Sequence, residues 1–243
     1  MKFTWLGQNG LLFELCGKTV MTDPYLSDQL SKKNSEHFRR MVPVDTRFLE
    51  IRPDILILTH VHEDHTDDET LDIILGNNEN ILILCPKSVF EHLRSRYIYK
   101  HRMVQLDRGT EWTEKTDAGC IHFTGIYAAH SDPYAVGVYI DSADGSAYIS
   151  GDTLFSKQIT SDILTCGDPD TVFVCINGAG NNMNCTDAAR LTVAVSPRAA
   201  VPVHFGLFEK MSADPNDYLA ELTAMGGGNI KTVIPEFYTE SEV

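Results

Sequence analysis

The sequence predicts an α/β (α+β) protein built as a single αββα sandwich over residues 1–243, and three observations point there. Short apolar, strand-like runs alternate with helix-like segments in both halves of the chain. Glycine-centred turns join the first of those runs as antiparallel hairpins. No linker and no internal repeat divides the sequence. That mixture fits helices packed on the outer faces of two sheets around a shared core.

The elements follow in order. Strands are expected at 2–6, 11–15 and 18–22, with Gly7-Gln8-Asn9-Gly10 and Cys16-Gly17-Lys18 as the hairpin turns between them. After Asp23-Pro24 the pattern dissolves over 24–54, an insert long enough to serve as a lid or a homo-oligomer contact. The apolar run Ile55-Leu56-Ile57-Leu58 reads as a buried strand. Thr66-Asp67-Asp68-Glu69 has the spacing of a capping box, and Leu71, Ile74 and Leu75 give the next helix an apolar face ending at Gly76. A strand at 81–85, a helix from about Pro86 to Tyr97 and a strand at 102–106 follow, then strands at 120–127, 136–140 and 146–150. The last third reads as a strand at 171–176, a glycine- and asparagine-rich loop, and a helix at about 187–195 capped by Thr186. A strand at 199–203 and a helix at 215–225, opened by Asp214-Pro215, complete the series.

Composition narrows the function classes. The chain is 43% hydrophobic and 22% charged, within the range of a globular protein. No apolar run approaches the roughly 18 residues of a membrane helix, and Met1–Gly7 reads as a strand, not a secretory leader. Six scattered cysteines without a C-x-x-C pair suit free thiols in a reducing cytoplasm, and neither Cys85 nor Cys185 has the context of a nucleophile. A formal net charge of −14 argues against nucleic acid or an anionic membrane, leaving a small molecule as the expected partner. An anionic substrate stays open, because bound cations invert the local field. Lys32, Lys33, Arg39 and Arg40 form a basic island in the insert, read either as a solvated surface or as a grip on phosphate or carboxylate.

The chemistry concentrates in Thr59-His60-Val61-His62-Glu63-Asp64-His65, where a strand empties into a loop before a helix. Imidazole nitrogens and a carboxylate suit a borderline divalent ion, manganese or zinc first and iron next. At this density of ligands two ions fit as well as one. Three later strands end on residues of the same kind: His130-Ser131-Asp132, Gly151-Asp152-Thr153 and His204-Phe205-Gly206. Strand ends on one side of a sheet are where α/β enzymes gather their sites.

His60-Val61-His62-Glu63-Asp64-His65 resembles the H-x-H-x-D-H signature of the metallo-β-lactamase superfamily, with His130, Asp152 and His204 following in that superfamily's order. Thr22-Asp23-Pro24 is similar to its acidic element beneath the metal loop. Trp5-Leu6-Gly7-Gln8-Asn9-Gly10, Phe38-Arg39-Arg40-Met41, Asn184-Cys185-Thr186-Asp187-Ala188, and His204-Phe205 followed by Asp214-Pro215 resemble the L-ascorbate-6-phosphate lactonase branch. The resemblance implies the metallo-β-lactamase fold. It also implies that His60, His62 and His130 hold one ion, that Asp64, His65 and His204 hold a second, that Asp152 bridges and that Asp23 supports from behind. It implies a hydrolase that turns an activated hydroxide on a small polar ester, foremost a sugar or sugar-phosphate lactone, with Asp64 orienting the nucleophile or carrying its proton. A phosphodiesterase and a non-hydrolytic metal-binding regulator are the alternatives. Arg39, Arg40, Asn177, Gly178 and Asn184 are candidate substrate contacts, while His92, His101 and His122 read as structural and His37 as either.

Overall fold

The computed structural model describes residues 1–96 and 101–243. Among them, one sheet is formed by β1 (Lys2–Gly7), β2 (Gly10–Leu15), β3 (Lys18–Thr22), β4 (Ile55–Ile57), β5 (Leu82–Cys85) and β6 (Arg102–Gln105). The second is formed by β7 (Glu111–Thr116), β8 (Gly119–Tyr127), β9 (Val136–Ser142), β10 (Gly145–Ile149), β11 (Thr171–Cys175), β12 (Ala199–Val203) and β13 (Lys231–Thr232). The C-terminal β14 (Glu240–Glu242) returns to the first sheet and pairs antiparallel with β1. The spatial orders are β14-β1-β2-β3-β4-β5-β6 and β13-β12-β11-β10-β9-β8-β7. In each sheet antiparallel hairpins occupy one half and parallel strands the other: β3 through β6 run parallel, as do β10 through β13.

Strand alternation sorts the side chains into layers. Phe3, Trp5, Leu11, Phe13, Ile55, Ile57, Leu82 and Leu84 face the second sheet in the main core cluster. Their neighbours Leu6, Met21, Leu56, Leu58 and Ile83 point outward. There they bury Leu71, Ile74 and Leu75 of α2 (Asp68–Gly76) and Val89 and Leu93 of α3 (Lys87–Arg96). Phe173 of β11 meets Phe3 and Phe13 edge-on across the sandwich, at 5.0 and 5.4 Å between centroids. Helices α4 (Lys157–Cys166), α5 (Cys185–Val195) and α6 (Pro215–Ala224) contribute Ile159, Ile163, Leu191, Tyr218 and Leu222 to the main core from the second sheet's side. The αββα layering is the expected one.

Several elements differ from expectation. Thr66 does not cap α2. Its hydroxyl donates to the His60 carbonyl at 2.7 Å, and Asp67 stands at the cap position, so the loop's own folding outcompetes the capping box. Helix α5 begins at Cys185 and its cap is Asn184, not Thr186. Strand β7, helix α4 and the two short C-terminal strands have no counterpart in the sequence-based reading. The α4 stretch carries buried residues only at Ile159 and Ile163, one helical turn apart, which is too weak a stripe to read. The expected helix 86–97 runs to Arg96, and its last residue lies outside the described residues. The insert 24–54 folds as the five-residue α1 (Gln29–Lys33) and two 3-10 turns, Glu36–Phe38 and Thr46–Leu49. Tyr25, Leu30, Phe38 and Val42 seat it on Leu207 and Phe208, just beyond β12.

All six cysteines are free; Cys16, Cys85 and Cys175 are buried, and Cys166 is exposed. Burial pushes the Cys85 thiol far up and the Cys185 thiol to about 11, so neither offers a thiolate near neutrality. Among the described residues no helix is long and apolar enough to cross a membrane.

Candidate metal centre

The seven expected ligands converge at the C-terminal ends of β4, β8, β10 and β12, of which β8 pairs antiparallel with both its neighbours. The loop after β4 delivers His60, His62, Asp64 and His65, β8 runs into His130, β10 into Asp152 and β12 into His204. Ligand-capable atoms of His60, His62 and His130 lie within 4.8 Å of one another, as do those of Asp64, His65 and His204. Asp152 stands between the groups. Its Oδ1 is 3.4 Å from His65 Nε2 and 3.3 Å from His204 Nε2, and its Oδ2 is 3.9 Å from His60 Nε2.

The backbone is forced into place around this cluster. Gln8, Asp23 and His204 all carry positive φ, at 47°, 34° and 61°, a costly conformation for residues with a side chain. Partners hold it. Gln8 O accepts from His204 N at 3.0 Å and from Trp5 Nε1 at 2.9 Å, and Asp23 N donates to Ile57 O at 2.9 Å. Gly151, at φ +56°, lets β10 end against Thr59; a Cβ there would sit 3.0 Å from the Thr59 Cβ.

Each histidine of the metal loop, and His130, has an acceptor for its outer nitrogen. His60 Nδ1 lies 3.1 Å from Thr59 Oγ1, which donates to Asp23 Oδ2 at 2.6 Å. His65 Nδ1 is placed to donate to Asp23 Oδ2 at 2.9 Å, and His130 Nδ1 to the Asn181 carbonyl at 3.3 Å. His62 is turned the other way, with Nε2 3.3 Å from Ser131 Oγ and Nδ1 inward. Such outer acceptors fix tautomer and ring orientation and leave the inner nitrogens bearing lone pairs. Asp23 is close enough to join a ligand group with His60 and His65. Its oxygens are already spent on Thr59 N, Thr59 Oγ1 and His65 Nδ1, which suits the supporting position the resemblance implied.

A divalent ion fits these residues. His62 Nδ1 is 3.0 Å from both His60 Nε2 and His130 Nε2. Three inward lone pairs repel unless a cation sits among them, and tetrahedral zinc–nitrogen bonds would set such nitrogens about 3.3 Å apart. His65 Nε2 is buried without a hydrogen-bond partner. Electrostatics agree. Burial, then neighbouring His65, hold His60 well below the ordinary imidazole range. Burial opposes charge on Asp64 and Asp152, but the histidines beside them win and keep both carboxyls well below the usual range.

The candidate substrate contacts are dispersed. Arg40 is committed: its guanidinium donates to Tyr25 O at 2.5 Å, Val42 O at 3.1 Å and Tyr238 Oη at 2.6 Å. Lys32 and Lys33 pair with Glu69 and Glu63 at 2.7 and 3.0 Å, so most of the basic island is internally neutralised. Arg39 is exposed. Asn184 caps α5 by accepting from Asp187 N at 2.9 Å, and Gly178 makes the preceding turn at φ +65°, so local chain geometry accounts for both. Asn177 is buried, with neither amide atom bonded. His37 is exposed, 3.4 Å from Lys210 Nζ. His92, His101 and His122 bond Asp68, the Leu75 carbonyl and Thr113, as structural histidines do.

Four polar residues at the site were not read from the sequence. Gln8 donates to Asp64 Oδ2 at 3.0 Å, and Asn9 and Asn182 donate to Asp152 at 2.9 and 2.8 Å. Asp132 accepts from Val61 N and Ser88 Oγ at 3.1 and 2.6 Å, pinning the metal loop. Gln8 and Asn9 carried a signal only as a hairpin turn and within the Trp5–Gly10 resemblance, and Asp132 only within His130-Ser131-Asp132, none of them as a site residue in its own right.

Fold and site together define a two-sheet α/β sandwich with a candidate histidine–aspartate metal site at its strand ends. The chain belongs to the metallo-β-lactamase superfamily: residues 18–205 match the family described as Beta-lactamase superfamily domain. A UPF0173 metal-dependent hydrolase of Thermoplasma acidophilum is 26% identical, covering 100% of this chain and 99% of that one. An uncharacterized protein of Mycobacterium tuberculosis is 28% identical over 219 residues, covering 84% of this chain. The match spans 58% of the length of that mycobacterial relative. Among solved structures, a metallo hydrolase of Ignicoccus hospitalis superposes with TM-score 0.76 at 22% identity, covering 100% of this chain and 98% of that one. An isothiocyanate hydrolase from Delia radicum gut bacteria gives 0.77 at 19%, covering 100% and 99%. At those identities the structural likeness speaks for the fold alone.

Proposed function

We propose that the protein is a metal-dependent hydrolase of small polar esters, with sugar or sugar-phosphate lactones as the leading class. The observation that carries the reading is Asp152, set between two ligand triads with an oxygen toward each. The hydrolase name of the Thermoplasma relative supports the reaction type. The motif likeness to the lactonase branch supports the finer substrate class.

Divalent ions bound there, manganese or zinc, supply Lewis acidity that lowers the pKa of water from 15.7 toward about 7. The chain's own residues do the rest. His60, His62, His65 and His130 present lone pairs fixed by their outer acceptors. Asp64, with Oδ2 fixed by Gln8 Nε2 at 3.0 Å, is the orienting group and proton acceptor for the attacking water. No side-chain nucleophile is required, and Cys175, the thiol bonded to the Thr153 carbonyl beside Asp152, is pushed up to about 11 by burial. An anionic substrate group would meet Arg39 at the insert, since Arg40 is already occupied.

Initial rates on panels of lactones and cyclic phosphodiesters, with added manganese or zinc, test the proposal. Metal-dependent turnover of lactones above phosphodiesters is expected. A preference for phosphodiesters would overturn the ester reading, and silence on both with metal bound would favour a regulator.

A further inference from the structure

We propose that Asn9 and Asn182 form a neutral amide cradle that sets the plane of the shared Asp152 carboxylate, with Gln8 doing the same for Asp64. The inference rests on reading the site as a metal centre. Asp152 is buried, and each of its oxygens receives one amide hydrogen: Oδ1 from Asn9 Nδ2 at 2.9 Å and Oδ2 from Asn182 Nδ2 at 2.8 Å. A carboxylate oxygen has two lone-pair directions. With one taken on each outer side, the remaining pair faces inward, toward His65 and His204 from Oδ1 and toward His60 from Oδ2. The two amides therefore determine that the carboxylate spans both triads instead of turning both oxygens on one.

The amides have no competing task. Asn9 Oδ1 and Asn182 Oδ1 are buried without a hydrogen-bond partner, so Asp152 is the only group among the described residues that holds either side chain. Burying an amide half-satisfied is unfavourable, and the charge-assisted bond to Asp152 offsets it. Neutrality matters as well. A lysine or arginine here would cancel the carboxylate's charge, while an amide orients it and leaves the full negative charge for the cations. Gln8 completes the set by donating to Asp64 Oδ2 at 3.0 Å, with its Nε2 also 3.1 Å from His204 Nε2.

The cradle also joins the sheets. Gln8 and Asn9 are the tip of the β1–β2 hairpin in the first sheet, and Asn182 lies on the loop between β11 and α5 of the second. These are positioning residues, so the test reads metal affinity and not activity alone. Zinc and manganese affinities would be measured by chelator competition for wild type, Asn9→Ala, Asn9→Ser, Asn182→Ala and, as control, Asn177→Ala. Circular dichroism would monitor folding. Removal of an orienting outer residue typically weakens metal binding about 10–100-fold, and that range is expected for Asn9→Ala and Asn182→Ala. Asn9→Ser keeps a short donor and should fall between Asn9→Ala and wild type. Asn177→Ala, which deletes a buried amide that bonds nothing, should leave affinity unchanged. Wild-type affinity in folded Asn9→Ala or Asn182→Ala overturns the cradle, as does an equal loss in Asn177→Ala. Should one alanine variant not fold, the other and Asn9→Ser decide by the same criterion. Absence of metal binding by wild type would instead sink the metal-centre reading on which the cradle depends.

Discussion

The two ligand triads are built differently. His60, His62 and His130 are three imidazoles with no carboxylate among them, and His62 and His130 are partly exposed. Asp64, His65 and His204 include a carboxylate, and His65 and His204 are 0% and 1% exposed. Behind the second group lies Asp23, fully buried and bonded to His65 Nδ1; behind the first lie a serine hydroxyl, a threonine hydroxyl and a backbone carbonyl. On the proposed function, the second half-site would hold a cation more strongly through its carboxylate, and the first would be the face open to substrate.

The largest effect should come from the residue both halves share. Asp152→Ala is expected to strip metal from each and to lower activity by more than the roughly 100-fold that an orienting outer residue costs. Elemental analysis of protein prepared without chelator, alongside kcat/KM, checks this, and wild-type metal content would remove the shared role. Next, His65→Ala and His62→Ala should separate the halves. His62→Ala should keep close to one ion per chain, whereas His65→Ala, which also leaves buried Asp23 without its imidazole, should lose the tighter ion and lower the unfolding midpoint. Equal retention in the two variants would erase the asymmetry.

Acidity gives a smaller and more selective test. In metal-free protein, burial would lower the His204 imidazole, but Asp152 and Asp64 outweigh it and raise it to about 9. A raised imidazole contributes stability that is complete below its ordinary value of 6.5 and is lost as pH rises through about 9. Metal-free protein should therefore melt at progressively lower temperature between those values. Metal-loaded protein should not follow it over that window, because the cation replaces the proton. Parallel melting curves would contradict the coupling. The smallest effect belongs to Arg39→Ala, expected to raise KM for a phosphorylated substrate with kcat and metal content unchanged, by about 10-fold at most for an exposed charge contact. An equal change for the unphosphorylated counterpart would assign Arg39 to the solvated surface.

The legibility of the site followed the same division. His60, His62, Asp64 and His65 fall within six residues, so a local string exposes them, and their distant partners announce themselves as chemistry-bearing residues at the ends of apolar runs. Arg40 shows the opposite case. In the sequence it is one of four clustered cations, and only folding reveals that its donors are spent on Tyr25, Val42 and Tyr238. Asn184 likewise reads as a polar residue near a site and folds as a helix cap.

By itself the sequence determined the layered fold and the identity of the metal-competent side chains, because strand periodicity and imidazole chemistry are properties of short segments. Tertiary structure alone decided which neutral groups act on them. An amide carries no chemical signal until it is aimed. Asn9 acquires its role only when the β1–β2 tip meets Asp152, 143 residues further along the chain, and Asn182 only when the loop after β11 closes on that carboxylate from the other side. The strained backbone at Gln8, Asp23 and His204 follows from the same closure, since side chains drawn from distant segments must reach one point and the local chain bends to allow it.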